Sequence, residues 1–571
     1  MAKKDNSQEK KPAEQKGLRY LGGLLLRKMA LGGARSLGTN SEEVNKLNVF
    51  PVPDGDTGDN MRMTIESGVA AIEGMDSDDL AFVMQTLSHG MLLGARGNSG
   101  VILSQFFAGT ARGLEKLKKA DPEALGRAFE MGVEQAYSSV MTPTEGTILT
   151  VAREAVEYAV KKIAPKSTIR SFFADLVKEM HASLDRTPEK LAVLKDAGVV
   201  DSGGAGLFYI MDGFNRVLNG EEIAAPSDAA IFGAVAPKAS EGFTFNASSE
   251  MIYGYCTELL LQLQHAKTDI EHFDMDALRA FLASIGDSVV AFKTDSIVKL
   301  HVHTFTPERV LAHCRRFGEF LTVKIENMSV QHTEGSITRE EAPAAPPPAE
   351  RKRYGIVTVA MGEGIENLFR ELGADVVIHG GQTQNPSTGD FLNAFATIHA
   401  EHILVLPNNG NIVMAAGQAA ELYTDAAVHV LPSKTVGAGY VALSAFDADA
   451  ELDALVAQMT EAMANATVGC ISPAIRDAEM DGVQIHDGDY IAIIEKQIVL
   501  SEKEQLEAAC RLAHELLADT GKYMLTVFCG IDAPEEEQNA LAARITAAHP
   551  SAEVYLIPGG QEIYPYVFVA E

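Results

Sequence analysis

The stretch that decides how the first part of the chain is read is Asn48-Val-Phe-Pro-Val-Pro-Asp-Gly-Asp-Thr-Gly58. Asp54 and Asp56 are separated by one glycine and lead into a helix predicted to begin near Thr57. Two carboxylates this close repel each other unless a cation lies between them, and such oxygen ligands suit Mg²⁺, which commonly joins carboxylates to phosphates. The helix start offers N–H groups and a positive dipole end to a phosphate. The segment therefore predicts the parts that phosphoryl transfer requires.

An isolated Asp-Gly-Asp is also typical of a turn that caps a helix. An EF-hand is excluded, because Asp59 and Ile65 stand where its loop needs glycine and glutamate. Two further glycine-rich segments, Gly94–Gly100 and Asp196–Gly206, can each bring bare backbone close to a ligand. Each alone is typical of an interhelical turn, but three in one helical region favour a ligand site. A P-loop is excluded, since the chain's Gly-Lys pair at 521–522 lacks the preceding glycine.

The sequence around these segments is helical. Met61, Ile65, Val69 and Ile72 fall on one face of a helix. Similar patterns predict helices near 79–93, 100–118, 122–138, 147–163, 168–184 and 204–218, and strand-like runs are scarce. We therefore predict an all-α, multi-helix domain at the N-terminal end of a multidomain chain.

The rest of the chain divides at a Pro/Ala-rich run near 340–353. Before it, strand-like runs (252–257, 288–292, 297–303) alternate with helical ones (258–265, 275–284, 307–317), which predicts a small α+β or α/β domain. After it, strands at 354–360, 375–378, 402–406 and 427–431 alternate with helices, which predicts an α/β domain with a parallel sheet. The expected parts are a disordered tail (1–16), a helical domain (17–225), a middle domain (240–336), a linker (337–353) and a C-terminal domain (354–571).

Composition limits the partners and the compartment. The 571 residues include 48 basic and 78 acidic side chains, a formal net charge of -30, which would repel nucleic acid. Five unclustered cysteines indicate a reducing compartment. The apolar stretch 18–37 contains four basic residues, so it predicts an amphipathic helix and not a membrane span. We expect a cytoplasmic protein without an integral membrane segment.

A second candidate metal site lies in the middle domain. His301 and His303 are two apart on a predicted strand, so their rings should face the same side. Cys256 lies in another strand-like run, and two imidazoles with one thiolate would suit Zn²⁺. The alternative is two ordinary polar strand residues and a buried cysteine.

The run Leu47–Met61 resembles the signature of bacterial fatty acid kinase large subunits, whose first domain is related to the nucleotide-binding domain of dihydroxyacetone kinases. Gly94–Gly100, Pro143–Leu149 and Asp201–Gly203 resemble that domain's nucleotide loops in the expected order. The likeness extends over all three domains. It implies an antiparallel helical barrel that holds ATP and two Mg²⁺ ions.

The resemblance also implies roles for single residues. Asp54 and Asp56 match Mg²⁺ ligands with a catalytic role. Asn48 stands roughly where dihydroxyacetone kinases have a third acid and is the third expected Mg²⁺ contact. The residues expected to meet the nucleotide are Thr57, Gly58, Asn60, Asn98, Ser99, Thr147, Asp201, Ser202 and Gly203. Asp59 departs from the small or hydroxylated residue expected there, and its charge should weaken phosphate binding unless it points away or reaches a metal. The middle-domain trio is also suited to a metal in this family.

The implied substrate is a fatty acid, and the implied product is an acyl phosphate. A fatty acid carboxylate has a pKa of about 4–5, so it is ionised near neutrality and needs no general base. The C-terminal domain resembles the DegV-type fold and is expected to be a docking platform for a separate fatty-acid-binding protein. Its loops Gly380–Thr388 and Leu406–Asn411 could bind an anion or be plain strand–helix turns. A dihydroxyacetone-type kinase and a non-catalytic nucleotide-sensing scaffold remain as alternatives, and a homodimer is compatible with the sequence.

Overall fold

The computed structural model describes residues 18–48, 55–224, 255–270, 273–294, 296–327, 351–381, 384–518 and 520–571. The predicted tail (1–16), nearly all of the linker and Asp54 lie outside these residues. The chain forms two compact units. The helical domain and the C-terminal domain together form one unit, and the middle domain forms the other.

The N-terminal domain is all-α, as predicted. Its helices are α1 (Gly23–Lys46), α2 (Thr57–Ile72), α3 (Leu80–Leu93), α4 (Gly97–Gly113), α5 (Pro122–Ser138), α6 (Ile148–Lys162), α7 (Ile169–Asp185), α8 (Thr187–Lys190), α9 (Ala192–Ala197) and α10 (Ser202–Leu218). Long helices that follow one another pack side by side, and α10 returns to α1, which closes the ring. The expected helical barrel is confirmed.

An aromatic cluster fills the barrel. Phe106, Phe129, Phe172 and Phe173 are at most 5% exposed and pack largely edge to face. Edge-to-face contacts add to the stabilisation that burial of these large rings provides. Among the described residues, the barrel interior is therefore a packed core with no room for a ligand. A ligand site has to be formed by the helix ends at the mouth of the barrel.

The middle domain consists of β1 (Tyr255–Leu263), α11 (Met275–Ala283), β2 (Gly286–Thr294), β3 (Ile297–Thr304), α12 (Pro307–Cys314) and β4 (Gly318–Asn327). The strand order is β2-β3-β1-β4 and each neighbouring pair is antiparallel, so this domain is α+β. The prediction of a helix over 258–265 is wrong, because most of these residues belong to β1. Leu259, Leu261 and Leu263 are each at most 2% exposed, and this alternation is the pattern of a strand with one buried face.

The first half of the C-terminal domain is the predicted parallel α/β layer. It contains β5 (Lys352–Ala360), α13 (Glu363–Glu371), β6 (Val376–His379), α14 (Thr388–Ala396), β7 (Ala400–Leu406), α15 (Val413–Leu422), β8 (Ala427–Val430), α16 (Val436–Ser444) and α17 (Leu452–Asn465). The strand order is β6-β5-β7-β8, with every pair parallel. β5 begins inside the segment predicted as linker, because Lys352 already pairs with Ala400.

The second half of the C-terminal domain contains a separate sheet that is mainly antiparallel. It contains β9 (Thr467–Pro473), β10 (Ala478–Met480), β11 (Val483–Ile485), β12 (Tyr490–Ile494), β13 (Gln497–Glu502), α18 (Gln505–Leu517), β14 (Met524–Cys529), α19 (Glu535–Ala548), β15 (Glu553–Pro558) and β16 (Tyr566–Ala570). In the six-stranded sheet β13-β12-β9-β16-β14-β15, only β14 and β15 pair in parallel. The run 490–500 is a hairpin that turns at Glu495 with a φ of 56°.

Within the described ranges, no helix is both long enough and apolar enough to cross a membrane.

Candidate functional site

The starts of three helices meet at one end of the barrel. Ser202 Oγ at the start of α10 donates to Thr57 Oγ1 at the start of α2, at 3.4 Å. Gly97 begins α4 with a φ of +59°, and a Cβ there would lie 2.6 Å from the Asn60 amide nitrogen. Glycine is therefore needed at 97 for both its backbone angle and the close approach. The three glycine-rich segments singled out in the sequence come together in space.

The start of α2 is held by a residue that sequence reasoning missed. Asn45, near the end of α1, accepts from the Gly58 N–H at 2.7 Å and donates to Asp59 Oδ2 at 2.8 Å. Gly58 is so close to α1 that a Cβ would lie 2.2 Å from the Ser41 carbonyl oxygen. Asp59 also pairs with Arg62 at 3.4 Å. Its charge is thus directed toward Asn45 and Arg62, which answers the concern raised by this unusual residue.

Asp201 ties two helix starts together. Its carboxylate accepts from the Gly204 N–H at 2.7 Å, which caps α10, and from the N–H of Ile148, the first residue of α6. Burial raises the pKa of Asp201 to about 6, and these two N–H groups oppose the rise. The arrangement places Thr147, the residue before α6, beside the Asp201–Gly203 turn.

The start of α4 carries the features expected of a ligand site. Arg96 precedes the helix, and none of the described side chains caps it. Asn98 Oδ1 is buried and has no hydrogen-bond partner among the described residues, while Asn98 Nδ2 is 3.5 Å from the Gly410 carbonyl oxygen. An unpartnered amide oxygen fits a metal ion or a hydroxyl, and the flipped amide would present N–H groups to a phosphate. With Asp56 and the neighbouring helix starts, these groups fit a nucleotide phosphate and Mg²⁺.

The C-terminal domain also reaches this site. Asn385, between β6 and α14, donates its side-chain N–H to Asp56 Oδ2. Arg476, after β9, donates to the backbone oxygen of Asn48, and burial lowers the pKa of the Arg476 guanidinium. Asn385 lies within a loop that the sequence had flagged, but nothing in a linear sequence shows which domain a loop will face.

The structure tests neither of the two metal predictions. Asp54 and the side chains of Cys256, His301 and His303 lie outside the described residues, so the structure does not test them. The backbone register places Cys256 directly opposite His303 on neighbouring strands. Among the described side chains, no three of His, Cys, Asp or Glu cluster closely enough to hold a metal.

The site thus combines a closed helical barrel, helix starts that converge near Asp56, and an adjoining α/β domain. Family models agree over most of the chain. The DAK2 domain matches residues 51–216, the FakA-like middle domain of fatty acid kinases matches 252–335, and the FakA-like C-terminal domain of the same proteins matches 355–571.

Relatives match over the full length. Protein YloV of Bacillus subtilis is 41% identical over 97% of this chain and 100% of its own. The uncharacterized protein SAR1202 of Staphylococcus aureus is 38% identical over 96% and 99%. The chain therefore belongs to the FakA-like family of fatty acid kinase proteins, and its class is that of a kinase.

Solved structures match single parts of the chain. The DegV family protein Cg2579 of Corynebacterium glutamicum matches 38% of this chain and 96% of its own, at 15% identity and a TM-score of 0.30. The dihydroxyacetone kinase of C. freundii in complex with AMP-PNP and Mg²⁺ matches 38% of each chain, at 17% identity and a TM-score of 0.28. The Streptococcus pneumoniae fatty acid kinase B3 protein, loaded with linoleic acid, matches 38% and 99%, at 13% identity and a TM-score of 0.27.

Proposed function

We propose that this chain is the ATP-binding component of a two-component fatty acid kinase of the cytoplasm. It would transfer the γ-phosphoryl group of ATP to a fatty acid carboxylate presented by a separate DegV-type fatty-acid-binding protein. The observation that carries the proposal is the meeting of the α2, α4 and α10 starts beside Asp56. Family membership over nearly the whole chain supports the acceptor class.

Each side chain has a proposed role. Asp54 and Asp56 would hold Mg²⁺, with Asn48 beside them. Bound Mg-ATP would supply the phosphoryl group and neutralise its charge. The residues proposed to line the nucleotide are Thr57, Gly58, Asn60, Asn98, Ser99, Thr147, Asp201, Ser202 and Gly203. The Gly58 N–H already donates to Asn45, so Gly58 would act through its small size.

The proposed phosphoryl transfer requires the protein to position the substrates and to neutralise charge, but it requires no general base. A fatty acid carboxylate oxygen forms a bond to the γ-phosphorus as the bond from that phosphorus to the bridging oxygen breaks, and ADP leaves with the electron pair. No proton has to be removed, because the carboxylate is already ionised at neutral pH. Alignment and charge neutralisation are therefore the work of the site.

The decisive experiment is an ATP-consumption assay with Mg²⁺ and a long-chain fatty acid, with and without a DegV-type fatty-acid-binding protein. Turnover only when lipid and carrier are both present is the expected result. Turnover with dihydroxyacetone, run in parallel, would instead favour a small-molecule kinase. Nucleotide binding without any turnover would favour a scaffold.

We also propose that Cys256, His301 and His303 hold Zn²⁺ in the middle domain, on the strength of their residue types and of the backbone register that pairs Cys256 with His303. Metal analysis of the purified chain should find one zinc per chain, and His301→Ala should lose it. A parent protein without zinc would end this proposal and leave the kinase proposal untouched.

A further inference from the structure

Asn385 is a buried amide that crosses from the C-terminal domain to the kinase site. The residue is 1% exposed. Its Nδ2 donates to Asp56 Oδ2 and lies 3.4 Å from Asn60 Oδ1. On its own side of the boundary, its Oδ1 accepts from Asn409 Nδ2 at 3.3 Å. The amide is therefore oriented from both sides, with its nitrogen toward the carboxylate.

The backbone around Asn385 is fixed to the residues that precede α4. Arg96 Nη1 donates to the Asn385 carbonyl oxygen at 2.6 Å, and Arg96 Nη2 is 3.4 Å from Asp390 Oδ2. The Thr388 N–H donates to the Ala95 carbonyl oxygen at 3.1 Å. The loop that carries Asn385 is thus held by the same segment that leads to Asn98.

Apolar packing supports this attachment. Ala95 and Val101 of the helical domain belong to one buried cluster with Phe391, Ile412 and Ala415 of the C-terminal domain. Burial of this shared apolar surface stabilises the two domains as one compact unit. The contact between Asn385 and Asp56 is accordingly part of a packed boundary.

We infer that Asn385 is a positioning residue for the Mg²⁺ ligand Asp56, so that the C-terminal domain completes the phosphoryl-transfer site within the same chain. A carboxylate that binds a metal is commonly hydrogen-bonded by an outer partner, which fixes its orientation. Asn385 has the burial, the donor and the second anchor that this role needs. The inference rests on the proposed function, because it assigns Mg²⁺ to Asp56.

The test is a calorimetric titration of Mg²⁺ into the full-length chain saturated with a non-hydrolysable ATP analogue. Asn385→Ala should weaken Mg²⁺ binding about 10- to 100-fold, as loss of an outer partner does elsewhere. In the turnover assay, the same variant should need more Mg²⁺ but regain most of its kcat at saturation. The matched control is Asn393→Ala, an exposed asparagine on α14, which should change the affinity less than about twofold.

A double variant separates positioning from general destabilisation. If Asn385 acts through Asp56, then adding Asn385→Ala to Asp56→Asn should cause no further loss of Mg²⁺ affinity. Additive losses, or an unchanged affinity in Asn385→Ala, would overturn the inference. Should Asn385→Ala fail to fold, Asn385→Ser, whose shorter side chain cannot reach Asp56, must show the same loss. A parent chain that binds no Mg²⁺ with the nucleotide analogue would overturn the proposed function as well.

Discussion

The helical domain and the C-terminal domain both bring glycine- and asparagine-rich loops to their shared boundary, but the polar groups of those loops are used differently. In the helical domain, Asn98 Oδ1 is buried without a partner among the described residues. In the C-terminal domain, Asn408 donates to Thr358 Oγ1 and to the Val359 carbonyl, each at 2.8 Å, and accepts from Ser433 Oγ at 2.8 Å. The Asn98 amide can therefore still accept a hydrogen bond or a metal from a ligand. The hydrogen-bonding groups of the Asn408 amide are all occupied by partners in its own domain.

The start of α14 is also satisfied by side chains of its own domain, as Asn408 is. Ser387 and Asp390 form a reciprocal capping box, with Ser387 Oγ accepting from the Asp390 N–H at 3.1 Å and Asp390 Oδ2 accepting from the Ser387 N–H at 2.7 Å. The anion site considered for Gly380–Thr388 would have to displace this cap. The comparison teaches that loop composition alone does not identify a ligand site, because the loop's own side chains can satisfy its backbone.

The largest expected effect belongs to the acidic pair of the helical domain. Asp54→Ala and Asp56→Ala should each lower turnover by more than about 100-fold, since loss of a metal ligand should exceed loss of its outer partner. Far-ultraviolet circular dichroism should show the helical fold intact. Near-normal turnover in both variants would contradict the metal assignment.

Asn408→Ala should damage the C-terminal domain without acting on the nucleotide. The substitution removes three buried side-chain hydrogen bonds and leaves the Ser433 hydroxyl without its acceptor. Thr358 Oγ1 keeps its bond to the Leu406 carbonyl, and Ser433 Oγ keeps the backbone N–H of residue 408. We expect a loss of about 2–4 kcal/mol in the free energy of unfolding, measured by denaturant titration. If Asn408→Ala leaves stability unchanged but abolishes nucleotide binding, then Asn408 serves the ligand site and not the interior of the C-terminal domain.

Asp201 should make stability depend on pH in a defined window. Its pKa is about 6 in the folded chain, against an ordinary value of 3.8 for an aspartate, so the folded state holds its proton more tightly. Its contribution to stability is therefore present below about pH 4 and is lost as pH rises through about 6. Asp201→Asn, which can still cap α10, should reduce the pH dependence of the unfolding free energy over this range by about 2 kcal/mol. An unaltered pH profile would show that burial does not shift this carboxyl.

The smallest expected effect is that of Asn98→Ala. Because its Oδ1 has no partner among the described residues and its Nδ2 contact is long, stability should change by less than about 0.5 kcal/mol. Nucleotide affinity, measured by calorimetry, should fall about tenfold, the equivalent of one ordinary hydrogen bond. The reverse pattern, with stability lost and affinity kept, would make Asn98 a structural residue like Asn408.

The sequence by itself determined the all-α domain, the boundaries of most of its long helices to within about five residues, the parallel layer after the linker and the segments that meet at the candidate site. These are local properties, set by the spacing of apolar residues and by glycine at tight approaches. It failed at β1, where three leucines in alternation were interpreted as a helix, and it did not show that the strands of the second sheet pair mainly antiparallel.

Only the tertiary structure decided which side chains meet. Asn45, Arg96 and Asn385 are separated in sequence by up to 340 residues. Asn45 contacts Gly58 because α1 packs against the start of α2, whereas the contacts of Arg96 and Asn385 depend on how the helical and C-terminal domains pack. Local periodicity carries no information about such contacts. The same holds for the contact of Asp59 with Asn45 on a neighbouring helix, whereas the ion pair of Asp59 with Arg62 is local to α2. The residue types are visible in the sequence, but the partners of Arg96 and Asn385 are fixed by long-range packing, in which the helical and C-terminal domains share one apolar core.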